Sequence, residues 1–277
     1  PITLTNNGSG DLVYNSSING SSDSVKVLVC TYGVDMSAGG DYYKTLNAIS
    51  SYYTKYSVTQ YSGNTSAGLQ TALINKNVVL FPRQTTNTDA HYYTYSSVLN
   101  SFATNGGSVV FCGSNGVIGN TRPFNTGLFS GTYNGALTNY SSTVLLPNDS
   151  LMYGIGVSTF NGDYNYLTIT DASKITPLTI TSYTYDVVSY KNIGTGKAIF
   201  IGCDFYNTNN KFAYILARAI KTAKTTSTNL SYLSPATGTL NATQTQTANV
   251  VIKTYGQPAG VYTTTLAITG NNPSPNP

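Results

Sequence analysis

The chain has 277 residues, a net charge of +4 and only 9% charged residues, against roughly 25% in an ordinary soluble protein. The 40% of hydrophobic residues exclude a disordered chain, and the absence of a Lys/Arg block argues against a nucleic-acid partner. No stretch approaches the about 18 apolar residues of a membrane span, and we expect no signal peptide within these residues. Ser, Thr, Asn, Gly and 24 Tyr replace the charges, which suits an extracellular protein.

The centre of the chain alternates strands and helices between β-like flanks. Residues 1–20 are polar and β-like, and VKVLVC (25–30) is apolar except for Lys26, as in a strand buried on both faces. Apolar periodicity predicts further strands at 57–62, 77–82, 108–112 and 197–205, and helices at 41–56, 66–75, 90–107 and 210–223. Repeated β–α–β units predict an open, mostly parallel α/β sheet with helices on both faces, of flavodoxin-like or amidotransferase-like type.

From about residue 124 to 195 the pattern weakens into β segments and loops, including 166–170 and 183–190. Beyond Lys224 alternating β positions replace helix, with the strongest strands at 247–255 and 261–269 joined by a turn at 257–260. The predicted divisions are an N-terminal β segment at 1–23, an α/β domain at 24–224, C-terminal β strands at 225–270 and a Pro-rich tail at 271–277. Pro1 is an unusual residue after a signal cleavage site, so we expect a longer precursor.

Two resemblances emerge from these segments. The stretches VKVLVC, NVVLFP, NGGSVVFCGS and GTGKAIFIGCDFYN, in this order, resemble class I glutamine-amidotransferase-like domains, in particular the trehalose-utilisation-type branch. The flanking phrases ITLTNNGSGDL (2–12), YLSPATGTL (232–240) and AGVYTTTLAITGNNP (259–273) resemble an Ig-like module of bacterial surface and filament proteins. Together they imply an α/β domain inserted into one Ig-like β-sandwich. The alternative is that residues 1–22 are donated to another subunit.

The frame Cys112-Gly113-Ser114-Asn115-Gly116 follows a strand and has the spacing of a nucleophile elbow. The amidotransferase resemblance places the nucleophile at Ser114 and the general-base His at Tyr206, where the acidic partner is also replaced by Asn207 and Thr208. A Ser hydroxyl without a base is a weak nucleophile, and the single His, His91, precedes the elbow. Moving the register to Cys112 leaves the base missing as well. We therefore predict a degenerate site and no enzyme activity.

Acidic residues also follow the strands. Asp35, Asp41 and Asp204 should lie near the carboxyl edge of the sheet, where open α/β folds bind ligands. They could hold a cation or act on a sugar, but the favoured interpretation is N-capping by Asp41 and loop hydrogen bonds by the other two. Asn161–Asn165 lacks the length and terminal Glu of a calcium loop, and no Lys follows Gly106-Gly107. We predict neither a metal nor a cofactor.

Three residue classes allow a structural and a functional interpretation. Cys30, Cys112 and Cys203 each end an apolar run, which favours buried free thiols over a disulfide. The Tyr pairs at 42–43, 52–53 and 92–93 could stack on sugar, but neighbouring helical residues point about 100° apart, which favours packing. The acceptor pattern for N-linked sugar occurs at Asn7, Asn15, Asn19, Asn64, Asn139, Asn148, Asn229 and Asn241. O-linked sugar is equally compatible with the composition.

The resemblances and the composition predict a non-enzymatic extracellular protein, a glycosylated subunit or repeat of a bacterial surface filament that associates with copies of itself. Low charge opposes close packing of many copies only weakly, and an edge strand can be completed by a segment of a neighbour. Two alternatives remain open. One is a secreted carbohydrate-active or carbohydrate-binding protein with a deep pocket at Asp35, Asp204 and Tyr206. The other is a monomeric adhesin module.

Overall fold

The computed structural model describes residues 2–19, 24–85, 92–207, 209–223, 231–235, 237–252 and 265–271. The chain divides into two compact units. Ser24–Thr226 forms one, called the α/β unit here. Pro1–Asp23 and Ser227–Pro277 form the other, called the all-β unit. In the described part of the chain, no helix combines the length and the apolar character needed to cross a membrane.

Fifteen strands and five α-helices follow one another among the described residues. The strands are β1 (Ile2–Thr5), β2 (Leu12–Asn19), β3 (Val25–Cys30), β4 (Tyr56–Tyr61), β5 (Val78–Phe81), β6 (Ser108–Cys112), β7 (Gly131–Val144), β8 (Thr159–Ile169), β9 (Ile175–Ile180), β10 (Asp186–Ile193), β11 (Gly196–Ile201), β12 (Ser231–Ser234), β13 (Thr237–Leu240), β14 (Thr245–Ile252) and β15 (Thr265–Gly270). The helices are α1 (Asp41–Ser50), α2 (Ser66–Ala72), α3 (Ser96–Thr104), α4 (Gly116–Asn125) and α5 (Asn210–Ala223), with a 3₁₀ turn (Tyr92–Tyr95) before α3.

Five parallel strands, in the order β4-β3-β5-β6-β11, form the first part of the sheet in the α/β unit. Alternate residues of β3 enter different cores, which explains why its sequence is apolar apart from Lys26. Val25, Val27 and Val29 lie in a core with residues of α1 and α5. Leu28 and Cys30 lie in a second core with residues of α2 and α3. The prediction of parallel strands with helices on both faces is confirmed for this half.

The rest of the sheet is antiparallel and closes on itself, so the expectation of an open, mostly parallel sheet is wrong there. Strand β10 pairs with β8 and β9, and β7 pairs with both of these, which completes a four-stranded barrel. The buried carboxylate of Asp186, at the start of β10, connects the ends of β8, β9 and β10 through hydrogen bonds. It accepts hydrogen bonds from the Ile169 N–H (2.8 Å), Lys174 Nζ (2.8 Å), Thr176 Oγ1 (2.6 Å) and Ser189 Oγ (2.6 Å).

Two predicted helices are shorter in the structure. The helix predicted over 41–56 ends at Ser50, because Tyr56 already pairs with Val25 at the start of β4. Strand pairing therefore overrides the helical spacing of the tyrosines at this point. The helix predicted over 90–107 is a 3₁₀ turn followed by α3, which ends at Thr104 before Gly106 at a φ of 98°. Its first two predicted residues lie outside the described part.

The all-β unit consists of two three-stranded antiparallel sheets built from both ends of the chain. Strand β14 lies between β1 and β12, and β2 lies between β13 and β15. The Tyr14 side chain is only 2% exposed, and its hydroxyl donates to Gln246 Oε1 (3.0 Å) on the other sheet. The two strongest predicted C-terminal strands thus belong to different sheets, while their connecting turn and the Pro-rich tail from 272 lie outside the described residues.

Candidate functional site

The carboxyl ends of the parallel strands bring the sequence-predicted site residues to one edge of the sheet. The chain winds away from β3 in both directions, because β4 and β5 flank it. Open α/β sheets bind ligands where the winding reverses in this way. Ser114 follows β6 and Asp204 follows β11, while Arg83 and Gln84 follow β5. This edge is therefore the candidate site.

Ser114 is fully engaged in structural hydrogen bonds. Its Oγ accepts from the Gln84 N–H (2.9 Å) and donates to the Gln84 carbonyl (3.3 Å). The side chain is 2% exposed, and a Cβ on Gly119 of α4 would stand 2.0 Å from Oγ. Ser114 also lacks the left-handed φ found at other positions of the described chain. A nucleophile elbow instead exposes its nucleophile on a strained turn.

The helix after this turn depends on a buried arginine that the sequence reasoning missed. Pro123 interrupts α4 and offers no N–H to the Gly119 carbonyl four residues earlier. Arg122 Nε donates to that carbonyl instead (2.6 Å). Its two other nitrogens donate to the carbonyls of Pro82 (2.7 Å) and Cys112 (3.1 Å). The sequence signal for this arrangement was the arginine directly before Pro123, because a proline within a helix leaves a carbonyl that a neighbouring cation can bind.

A cluster of charged side chains lies at the same edge of the sheet as Ser114. Arg83 Nη1 lies 3.0 Å from Asp41 Oδ1, and Arg83 Nε lies 3.4 Å from Asp204 Oδ2. The Tyr206 ring faces two cations, with Lys44 Nζ 3.7 Å and Arg83 Cζ 4.4 Å from its centroid. Sequence reasoning found both aspartates and Tyr206 but missed Arg83, although a cation directly after the strand-ending Pro82 was a usable signal.

The expected N-cap role of Asp41 is wrong. Gly40 occupies the N-cap position without a side-chain cap, and Asp41 is the first residue of α1. Its carboxylate forms an ion pair with Arg83 instead. Burial raises the pKa of the Asp41 carboxyl, although the Arg83 charge opposes that shift. The Asp41 Oδ2 atom has no hydrogen-bond partner within the described structure.

Asp35 and Asp204 make the loop hydrogen bonds that were predicted. Asp35 Oδ1 accepts from the Ser37 N–H (2.9 Å), and hydrogen bonding by Ser37 lowers the pKa of the Asp35 carboxyl. Asp204 Oδ1 accepts from the Tyr206 N–H (3.0 Å). Phe205, which lies between Asp204 and Tyr206, has a φ of 59°. This value is uncommon for a non-glycine residue.

No base–nucleophile pair lies at this edge in the part of the chain that the structure describes. Tyr206 stands where the resemblance places a His, and its ring faces the cations of Lys44 and Arg83. Asn207 Nδ2 donates to Asp163 Oδ2 (2.8 Å). His91 lies outside the described residues. Within the described ranges, no three His, Cys, Asp or Glu side chains are grouped to hold a metal ion.

The three cysteines are free and buried, which confirms their predicted packing role. Burial raises the pKa of all three thiols, to about 12 for Cys112. The charge of nearby Arg122 partly opposes the shift at Cys30 and Cys112. A thiolate nucleophile needs the opposite environment. The alternative nucleophile Cys112 therefore has neither exposure nor a lowered pKa.

The division between core and surface predicted for the tyrosine pairs holds at 42–43 and 92–93, whereas Tyr53 beyond the end of α1 is half-buried. Tyr42 and Tyr92 are buried, whereas Tyr43, Tyr52 and Tyr93 are exposed. Candidate glycosylation residues are exposed at Asn7, Asn64, Asn139, Asn148 and Asn241. Asn15 and Asn19 lie in β2, and Asn229 lies outside the described residues.

No family profile and no curated protein matches this sequence. Solved structures do match the fold. A ThuA-like protein of Parabacteroides merdae matches with a TM-score of 0.52 at 11% identity, over 73% of this chain and 90% of that protein. A ThuA-like protein of Bacteroides uniformis matches at 0.50 and 12%, over 73% and 92%. A cytoplasmic protein of Salmonella typhimurium matches at 0.50 and 9%, over 72% and 99%.

The chain contains a domain with the ThuA-like fold. This confirms the fold that the amidotransferase-like, trehalose-utilisation-type resemblance implies for the α/β part. Identities of 9–12% concern the fold alone and transfer no activity.

Proposed function

We propose that this protein is a non-enzymatic extracellular structural protein, a subunit or repeat of a bacterial surface filament. Successive copies associate through the all-β unit, which we interpret as an Ig-like sandwich. The surface is glycosylated at one or more of the exposed Asn, Ser or Thr residues. The supporting observations come from both units of the chain.

The construction of the all-β unit carries the proposal. Strand β2 is the central strand of its sheet, while both of its neighbours, β13 and β15, come from the other end of the chain. Strand β1 likewise pairs with β14. An N-terminal segment with this role can complete the sheets of its own chain or of a neighbouring copy. Completion between copies is a contact that does not close, and it builds fibres.

The geometry of the α/β unit favours this role over catalysis at the sheet edge. Ser114 is buried with both hydrogen bonds of its Oγ made to Gln84. Arg83 pairs with both Asp41 and Asp204, and a sugar stacking on the Tyr206 ring, which is 53% exposed, would compete with the Lys44 and Arg83 cations that face it. The carbohydrate-active alternative at this edge therefore has less support than the structural role.

Disulfide trapping tests whether β1 is donated. Thr3 lies opposite Thr247, and both side chains are exposed. Chains carrying only Thr3→Cys are mixed with chains carrying only Thr247→Cys, assembled and oxidised. A disulfide that joins position 3 of one copy to position 247 of another, identified by peptide mapping, reports pairing of β1 with the β14 of a neighbour, because a disulfide requires Cα atoms within about 7 Å. Replacing Thr3→Cys by Thr5→Cys, which is two residues out of register, provides the matched control.

Electron microscopy of the secreted protein supplies the second readout. We expect regular filaments and a dimer that depends on the correct register. Adjacent substitutions in β2 add a control for strand insertion, since Val13 is 50% exposed and Tyr14 is 2% exposed. Tyr14→Asp should abolish assembly and Val13→Asp should preserve it. Uniform monomers, with cross-links only inside a chain carrying both cysteines, would overturn the proposal.

A further inference from the structure

A shallow groove of about 60 Å³ runs across the α/β unit on the face formed by α1 and α5. The residues lining it are Tyr52, Tyr53, Tyr214, Ala217, Arg218 and Lys221, and we call it the tyrosine groove. The Tyr52 and Tyr214 rings meet edge to face, with centroids 5.4 Å apart. Tyr153 adjoins the groove, because its carbonyl accepts a hydrogen bond from the Tyr214 hydroxyl (2.9 Å).

The aromatic groups of this surface are held in place yet remain open to solvent. Tyr52 is 45% exposed and Tyr153 is 62% exposed. The Arg218 guanidinium lies 5.7 Å from the Tyr153 ring centroid, and its Nε donates to the Ser150 carbonyl (2.8 Å). A fixed, exposed ring gives up little conformational freedom when it packs against a ligand. The groove is thus organised before any ligand arrives.

The lining of the groove includes two cations and no carboxylate. Arg218 and Lys221 are three residues apart on α5 and therefore lie on the same helical face. Within the described residues, no carboxylate comes within ion-pair distance of either cation. By the same distance criterion, Lys174 forms an ion pair with Asp186, and Lys191 forms one with Asp171. The groove therefore offers unpaired positive charge beside exposed aromatic rings.

We propose that the tyrosine groove binds an acidic polysaccharide, with pyranose rings against Tyr52 and Tyr153 and the carboxylate or sulfate groups at Arg218 and Lys221. The apolar faces of sugar rings pack on aromatic rings, and the guanidinium matches an acidic group bidentately. A shallow groove suits a chain that lies across it rather than an enclosed small molecule. An acidic peptide would use the cations but would gain less from the flat tyrosine faces. The inference does not depend on filament formation.

Binding of polygalacturonate to the full-length protein tests the inference. Poly-L-glutamate of similar charge supplies acidic groups without sugar rings, and methyl-esterified polygalacturonate supplies rings without charge. Dextran sulfate distinguishes sulfate from carboxylate as the preferred acidic group. We expect saturable binding to at least one of the acidic polysaccharides, weakened by added salt, and at least about tenfold weaker binding to both control polymers.

Variants then connect this binding to the groove. Tyr52→Ala should weaken it about tenfold, and Tyr52→Phe should retain most of it. Tyr43→Ala is the matched control, because Tyr43 is 44% exposed and also meets a neighbouring tyrosine edge to face. Arg218→Gln should weaken binding more than Arg218→Lys. Thermal melting of each variant identifies any loss of folding.

Three outcomes would overturn the inference. They are equal affinity for poly-L-glutamate, equal loss in the Tyr43→Ala and Tyr52→Ala variants, and no saturable binding of either acidic polysaccharide at about millimolar sugar-unit concentrations.

Discussion

The buried guanidinium of Arg122 allows a quantitative test of how the turn after β6 is supported. Arg122→Met removes the charge and leaves the carbonyls of Gly119, Pro82 and Cys112 without their donor. Each buried acceptor without a partner costs about 1–3 kcal/mol. Removing the desolvation penalty of the guanidinium, about several kcal/mol, offsets part of that loss. We expect the free energy of unfolding to fall by about 2–4 kcal/mol.

A substitution at Pro123 tests the contact with the Gly119 carbonyl separately from the other two contacts of Arg122. Pro123→Ala supplies a backbone N–H for Gly119, so it should recover about 1 kcal/mol in the Arg122→Met background. Beside intact Arg122 the Gly119 carbonyl already accepts one hydrogen bond, so the same N–H should stabilise the protein less. Urea unfolding of the four full-length chains, followed by circular dichroism, measures this coupling. Additive effects of the two substitutions, or an Arg122→Met loss no larger than that of the more exposed Arg218→Met control, would refute the argument.

Three further predictions concern the same region. Gly113→Ala should prevent stable folding, because its Cβ would stand 1.9 Å from the Gly202 carbonyl oxygen, whereas Gly10→Ala meets no atom within 4 Å and should leave the thermal melting temperature unchanged. The three buried cysteines should resist alkylation in the native protein and react only after unfolding; these are Cys30, Cys112 and Cys203. Rapid labelling of the native protein would contradict their burial. Because the pKa of Asp41 is raised on folding, its contribution to stability should decline as the pH rises above 3.8. Asp41→Asn should remove that decline in unfolding curves measured between about pH 4 and pH 7, and an unchanged decline would assign it to other groups.

The parallel half of the α/β unit could be predicted because burial on both faces leaves a clear sequence pattern. Strands β3 and β6 are apolar apart from Lys26 and Ser108, and their predicted bounds match the structure. The barrel could not be predicted in the same way. Its long strand β7 alternates between partly buried and exposed residues, and it carries a bulge on each side of a central stretch. A pattern that weak indicates β structure but not its partners.

The candidate site was predictable in its positions and less so in its contacts. The carboxyl ends of parallel strands had to bring Ser114, Asp204 and Tyr206 to one edge, and they do. Which groups would pair there depended on Arg83, whose side chain crosses from β5 to α1. A sequence gives the order of strands more readily than the direction of a long side chain. The N-cap prediction for Asp41 failed for that reason.

The composite all-β unit has a consequence for biosynthesis. Asn15 of β2 pairs with Thr237 of β13, 222 residues later in the chain. At a translation rate of about 5–20 residues per second, roughly 10–45 s separate the synthesis of these two partners. During that interval the α/β unit can fold, while the N-terminal strands have been made and their own C-terminal partners have not. The all-β unit can therefore be completed within one chain only after the α/β unit has been synthesised, and the segment that forms β1 and β2 lacks its C-terminal partners throughout that time.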